Sequence, residues 1–200
     1  MKKVIASALI ITICFSASLL NAQTNVFTKG TSNLNLGLHI PTYFNHIMLP
    51  PISVSYDYGI ADFGENVGSL GIGAYSGLSV WRMRYNKNWS ASIIYFNIGP
   101  RVSYHFSGIP NVPQLDLYGF LFMGLQLQSF YGKITHTPDD GGDPIISNEP
   151  PVSISTSTTP LFSADVKVGA KYWFKDTFGA YAEIGWGTIS IFEAGVSFKF

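Results

Sequence analysis

The chain has 200 residues, 12 Lys+Arg against 12 Asp+Glu, 15% aromatic residues and only 12% charged ones. An average soluble domain carries about 25% charge, so this composition argues against a disordered chain and against a nucleic-acid binder with a basic footprint. Beyond the N-terminus the longest apolar run, Leu117–Leu125, falls short of the ~18 residues a spanning helix requires.

In chain order, Lys2 and Lys3 form a positive n-region, Val4–Phe15 an apolar block, and Leu20-Asn21-Ala22 a small-residue cleavage site. Residues 1–22 therefore read as a signal peptide and 23–200 as a single exported domain. Cys14 follows Ile13 inside the apolar block, which disfavours lipoprotein processing. Cutting after Ala22 leaves 178 residues with no cysteine and a net charge of −2, an exported chain that uses no disulfide.

The rest alternates strictly between apolar and polar residues. Leu34, Leu36, Leu38 and Ile40 share one face of the first segment, and Ile52, Val54, Tyr56, Tyr58 and Ile60 one face of the second. Leu70, Ile72, Ala74, Leu78 and Val80 mark the third; Ile94, Phe96, Ile98, Val102 and Tyr104 the fourth; Leu115 to Leu127 the fifth. Three more follow at Ala164–Tyr172, Phe178–Trp186 and Phe192–Phe200. Each of the eight candidates is near the ~9–11 residues a tilted strand needs to cross a bilayer.

Alternation does not say which face meets water, since a lipocalin-like soluble barrel also has eight strands. The charges decide. Of 22 charges after residue 22, nine fall on polar strand faces: Asp57, Arg101, Asp116, Asp165, Lys167, Lys171, Glu183, Glu193 and Lys199. Between them stand Gly, Ser and Asn rather than the Lys and Glu of a soluble outer face. Small residues with balanced charges suit a narrow interior, and the apolar faces suit lipid, where only a closed barrel satisfies the strand backbone. The expectation is an all-β fold, an eight-stranded antiparallel up-and-down transmembrane β-barrel with a charge-paired interior.

Links alternate in length. Gly64–Ser69, Ser107–Gln114 and Lys175–Thr177 are short and rich in turn formers; Pro41–Pro51, Arg82–Ser90 and Lys133–Pro160 are longer. Short periplasmic turns and long external loops give the orientation, with Thr188–Ser190 short for its place. Aromatics make two belts: Trp81, Trp89, Phe130 and Trp186 outside; Phe63, Tyr104, Phe106, Tyr172, Phe174, Phe178 and Phe198 on the periplasmic side.

The closing segment Phe192-Glu-Ala-Gly-Val-Ser-Phe-Lys-Phe200 ends in Phe after alternating apolar residues. It resembles the C-terminal strand read by the barrel assembly machinery, with Phe200 as the assembly signal. Together with Lys171-Tyr-Trp-Phe-Lys-Asp-Thr-Phe-Gly-Ala-Tyr-Ala-Glu-Ile-Gly-Trp-Gly187, it resembles small outer-membrane β-barrel domain proteins, the OmpA/OmpX- and OmpW-like "porin family" class. The resemblance implies an outer-membrane location, and assembly machinery, outer-membrane lipid and lipopolysaccharide as partners. It carries over no catalytic residue.

Pro100 interrupts the fourth strand and predicts an edge, a bulge or a register shift. Phe120 and Phe122 fall on the inward face, to be absorbed by inward glycines or, in the sharper reading, to line a ligand pocket. Ser103 and His105 share a face, and an interior hydrogen bond fits them better than a hydrolase. His39, His46 and His136 lack metal-ligand spacing, and Asp139-Asp140-Gly-Gly-Asp143 reads as a solvated loop tip rather than a Ca²⁺ loop. No cofactor, metal site or nucleic-acid partner is expected. Arg82, Arg84 and Lys87 make a basic loop between two tryptophans, suited to lipid phosphates, and loop 133–160 is a place for an extracellular ligand. Val152, Ile154 and Thr156 still alternate, so the fifth and sixth strands extend as a protruding hairpin. The leading function is structural or surface-interacting, without a general diffusion pore and without catalysis. A narrow channel or carrier for a small or hydrophobic solute is the alternative, and a lipid-modifying enzyme the third class.

Overall fold

Alternating side chains commit each segment to a strand with one wet and one dry face, and eight such strands close on themselves. The computed structural model describes residues 26–41, 47–64, 67–84, 89–107, 112–134 and 153–200. The strands are β1 (Ser32–Pro41), β2 (Ile47–Asp62), β3 (Ser69–Arg84), β4 (Trp89–Ser107), β5 (Leu115–Ile134), β6 (Ser153–Lys175), β7 (Phe178–Trp186) and β8 (Ser190–Lys199). Every neighbour pair is antiparallel, and β1 pairs with β8 from Asn33↔Lys199 to Pro41↔Ser190, closing the barrel. The signal peptide, His46, Lys87, His136 and the acidic run at 139–143 lie outside the described residues.

The barrel is inverted relative to a soluble protein. Leu38 and Val168 are each 61% exposed on the outer face, whereas Asn33, Asn35 and Asp57 are fully buried inside. A girdle of exposed Leu, Ile, Val and Tyr with a polar interior is the surface of a transmembrane barrel. Aromatic rings meet around the end where the described chain starts at Val26 and stops at Phe200, with Phe178 5.6 Å from Phe198 and Tyr172 5.4 Å from Phe174.

The rim at the other end is uneven. β4, β5 and β6 run 19, 20 and 23 residues, while β7, β8 and β1 run only 9, 10 and 10. Membrane crossing uses ~9–11 residues, so the long strands stand clear as a wall and the short ones form a low lip. Much of what the sequence offers as loop is therefore strand, at Ile47–Pro51, Arg82–Arg84, Trp89–Ser90 and Ser153–Pro160. The alternation of Ile154 and Thr156 does extend the hairpin, whose ladder reaches Lys133↔Ser153.

Pro100 departs from expectation. β4 keeps one register against β5 on both sides of it, Ile98↔Leu125 and Arg101↔Phe122, and pairs Ala74↔Pro100 against β3. Glycines make this possible: a Cβ at Gly99 would lie 2.6 Å from the Cα of Gly124, so the two backbones approach where the proline withholds its donor. The same glycines seat the inward ring of Phe122, which would lie 2.8 Å from a Cβ at Gly124.

Candidate functional site

The interior is built in tiers by the strand period, because every second residue of each strand points inward. In the middle tier Arg101 reaches across from β4. Its Nε lies 2.9 Å from Asp57 Oδ1 on β2, its Nη1 donates to Ser55 Oγ at 3.0 Å, and its Nη2 lies 3.6 Å from Glu183 Oε1 on β7. The guanidinium also sits 4.0 Å over the Phe120 ring. Tyr118 donates to Glu183 Oε1 at 2.7 Å, and Asn35 donates to Ser55 at 3.0 Å while accepting from Ser197 at 2.7 Å. One side chain thus ties β2, β4 and β7 together through the lumen.

The tier nearer the uneven rim centres on Glu193. It accepts from Ser53, from Tyr181 OH at 2.7 Å and from Lys167 Nζ at 3.3 Å, with His39 Nε2 at 3.5 Å. Above it the β7–β8 connection folds inward. Thr188 gives Asp165 Oδ1 both its backbone N–H and its hydroxyl at 2.7 Å, and Ile189 is buried against Gly77. Tyr75, Tyr118, Phe120 and Phe122 form one buried cluster, so the two inward phenylalanines are packed against protein.

The tier nearest the termini holds His105, whose Nδ1 lies 2.7 Å from Asp116 Oδ2 and whose Nε2 lies 3.1 Å from Ser103 Oγ. This has the connectivity of a hydrolase triad. All three residues are fully buried, the Ser103 hydroxyl donates to Asp57 Oδ1 at 3.2 Å, and the imidazole is stacked between Phe27 at 3.7 Å and Tyr118 at 5.1 Å. An acyl-transfer nucleophile needs an approach for substrate, and aromatic rings hold both faces of the base. The arrangement is a buried hydrogen-bond chain.

Of the nine inward charges named from the sequence, eight are buried. Asp57, Arg101 and Glu183 meet in one group, Lys167 and Glu193 in a second. Asp116 turns to His105 and Asp165 to Thr188 rather than to a lysine. Lys171 Nζ has no hydrogen-bond partner among the described residues and lies 5.1 Å over the Tyr118 ring. Lys199 is half-buried at the rim, 3.5 Å from the Val26 carbonyl and 4.8 Å over Trp173. Arg82 is exposed near the top of β3, and Phe200 is 71% exposed on the outer face. The side chains of Arg84 and Lys87 are outside the described residues. Phe27 and Ile189 are interior groups that no local alternation marks, because both lie in connections, whereas Trp173 is buried on the inward row of β6 with Lys167 and Lys171. Among the described residues no group of three or more His, Cys, Asp or Glu could hold a metal ion.

On the lipid-facing side, Ala170, Ala182 and Ala194 oppose one another across β6, β7 and β8. Ala170 and Ala182 help form a hollow of about 570 Å³ bordered by Tyr104, Phe106, Gly119, Ile184 and Phe192. The ladders beneath it are continuous, so it indents the wall without opening the lumen.

No protein-family model matches the chain, and no curated protein matches it. Among solved structures it is similar to Ail, the attachment invasion locus protein of Yersinia pestis, crystallised in complex with the heparin analogue sucrose octasulfate. The identity is 11% over 86% of this chain and 100% of that one, with a TM-score of 0.49. The N-terminal β-barrel domain of Pseudomonas aeruginosa OprF shares 16% identity over 86% and 98% of the two chains, at a TM-score of 0.44. Neisserial surface protein A shares 14% over 85% and 95%, at 0.38. These are small outer-membrane eight-stranded barrels, the class that the closing hairpin resembles.

Proposed function

We propose that the chain, cut after Ala22, is an outer-membrane barrel that works at the cell surface, with neither a diffusion path nor a catalytic site. The observation that carries this reading is Arg101, fully buried and held by Asp57 and Glu183 on two other strands. An ion crossing the lumen would have to part a desolvated charge pair, which is costly to break. The raised wall of β4, β5 and β6 is then the working surface. From Ser153 to Asp165, β6 pairs with β5 alone among the described residues, and Thr156–Phe162 is exposed on both faces. Such an edge with its polar face offers backbone and hydroxyl groups to an extracellular ligand. Arg82, with Arg84 and Lys87 following it, faces lipopolysaccharide phosphates, and Phe200 on the outer face is read by the assembly machinery.

Purified barrel reconstituted in a planar bilayer tests the reading. The expected result is no steady current under applied voltage. Discrete ohmic steps that disappear with the protein would overturn the closed lumen and favour the narrow-channel alternative.

A further inference from the structure

The segment before β1 enters the barrel. Val26 and Phe27 are buried, and Phe27 lies flat on His105. Gly30, at φ +90°, turns the chain back toward β1. The turn is held by hydrogen bonds from Gly30 N to Gly59 O at 2.8 Å, from Gly59 N to Thr31 O at 2.9 Å and from Thr31 N to Thr28 O at 3.0 Å. The wall is shaped to receive it. A Cβ at Gly59 would lie 2.1 Å from the Thr28 carbonyl oxygen, and one at Gly71 would lie 3.1 Å from Phe27 Cζ.

The same tier contains polar atoms that the closed form does not satisfy. Asn33 Nδ2 and Oδ1, Asp116 Oδ1, Lys171 Nζ and Trp173 Nε1 are buried without hydrogen-bond partners among the described residues. Groups of that kind are usually met by water, so closure sets ring stacking and turn hydrogen bonds against the desolvation of a lysine and an aspartate. We propose that Val26–Thr31 is a displaceable plug over a polar chamber, open to water and small polar solutes from the end bearing the termini and floored by Arg101. This goes beyond the surface reading and does not depend on it, because the chamber ends below the Arg101 tier.

The test uses a thiol reporter, since the chain after residue 22 contains no cysteine. Ser103→Cys reports the chamber and Ser53→Cys the tier beyond Arg101. Each is treated in folded, detergent-solubilised barrel with a small charged methanethiosulfonate. Both should react slowly with the plug intact. Adding Phe27→Ala, or Gly59→Val to drive out Thr28 from the wall side, should speed labelling at position 103 about tenfold or more and leave position 53 slow. No change at 103 with either variant overturns the plug, as does equal acceleration at both positions, which would mean general loosening. Retained heat-modifiable gel mobility shows that each variant is folded, and labelling needs no membrane orientation, so it fails or succeeds apart from the conductance result.

Discussion

Glu183 and Glu193 stand directly opposite each other on β7 and β8, two buried carboxylates in one cross-strand pair facing the lumen. Like charges in that position repel, and the two resolve it unequally. Glu193 takes bonds from Ser53, Tyr181 and Lys167, whereas Glu183 takes one from Tyr118, holds Arg101 only at 3.6 Å, and leaves Oε2 without a hydrogen-bond partner. Removing the charge at 183 relieves repulsion at small loss, so Glu183→Gln should lie within about 1 kcal/mol of the parent in urea unfolding. Glu193→Gln leaves buried Lys167 without the anion it bonds and should cost about 3–5 kcal/mol. The reverse order would contradict this division of roles.

Arg101→Met removes the cation that Asp57 shares with the middle tier and leaves a buried carboxylate uncompensated. A loss of about 3–5 kcal/mol is expected. Combining it with Asp57→Asn should recover part of that loss, because the stranded charge goes with it. A double variant as unstable as the sum of the singles would argue that the two residues act separately.

Gly37 and Gly119 separate the two faces of the wall. A Cβ at Gly37 would lie 2.1 Å from Glu193 Oε1 and 2.4 Å from Tyr181 OH, while one at Gly119 meets nothing closer than 3.8 Å. Gly37→Ala should therefore displace the Glu193 hydrogen bonds and destabilise the barrel by about 1–3 kcal/mol. Gly119→Ala should be neutral or slightly stabilising. Equal effects in a thermal gel-shift series would refute the contrast.

Pro160 sits in the raised part of β6, in register with Leu127 and exposed. A proline on a free edge withholds a donor that a second strand would use. Replacing it with Val should promote self-association, visible as a shift in light-scattering mass at rising protein concentration. A strictly monomeric Pro160→Val barrel at every concentration would show that the edge is protected by other means.

Strand number and parity were legible because the side-chain period is two, so one apolar row settles the direction of every side chain in its strand. Ser103 and His105 were placed on one face by that rule. Their link to Asp116 was not, since it depends on how β4 registers against β5. Strand ends were harder. Beyond the membrane neither face has to be apolar, so in Ser153–Thr159 only the short alternation through Ile154 and Thr156 marks the strand, and the same run also reads as loop. Pro100 misled for a local reason: the lost donor was visible, but not that Gly99 and Gly124 would bring two backbones together there. Phe27 and Ile189 lie in connections, whose inward turn no period records.

The backbone bonds joining Ser32 and Phe200, N–H to carbonyl in both directions at 3.2 and 3.1 Å, have a kinetic consequence. They join the first strand to the last, so the seam is the longest loop closure among the described residues, and long-range pairing of that kind is intrinsically slow. Until β8 reaches β1, the sheet has two open edges and a wet, charged inner face. A sheet with that seam unmade is an adhesive ribbon, and the pairing of β1 with β8 is what takes both edges away.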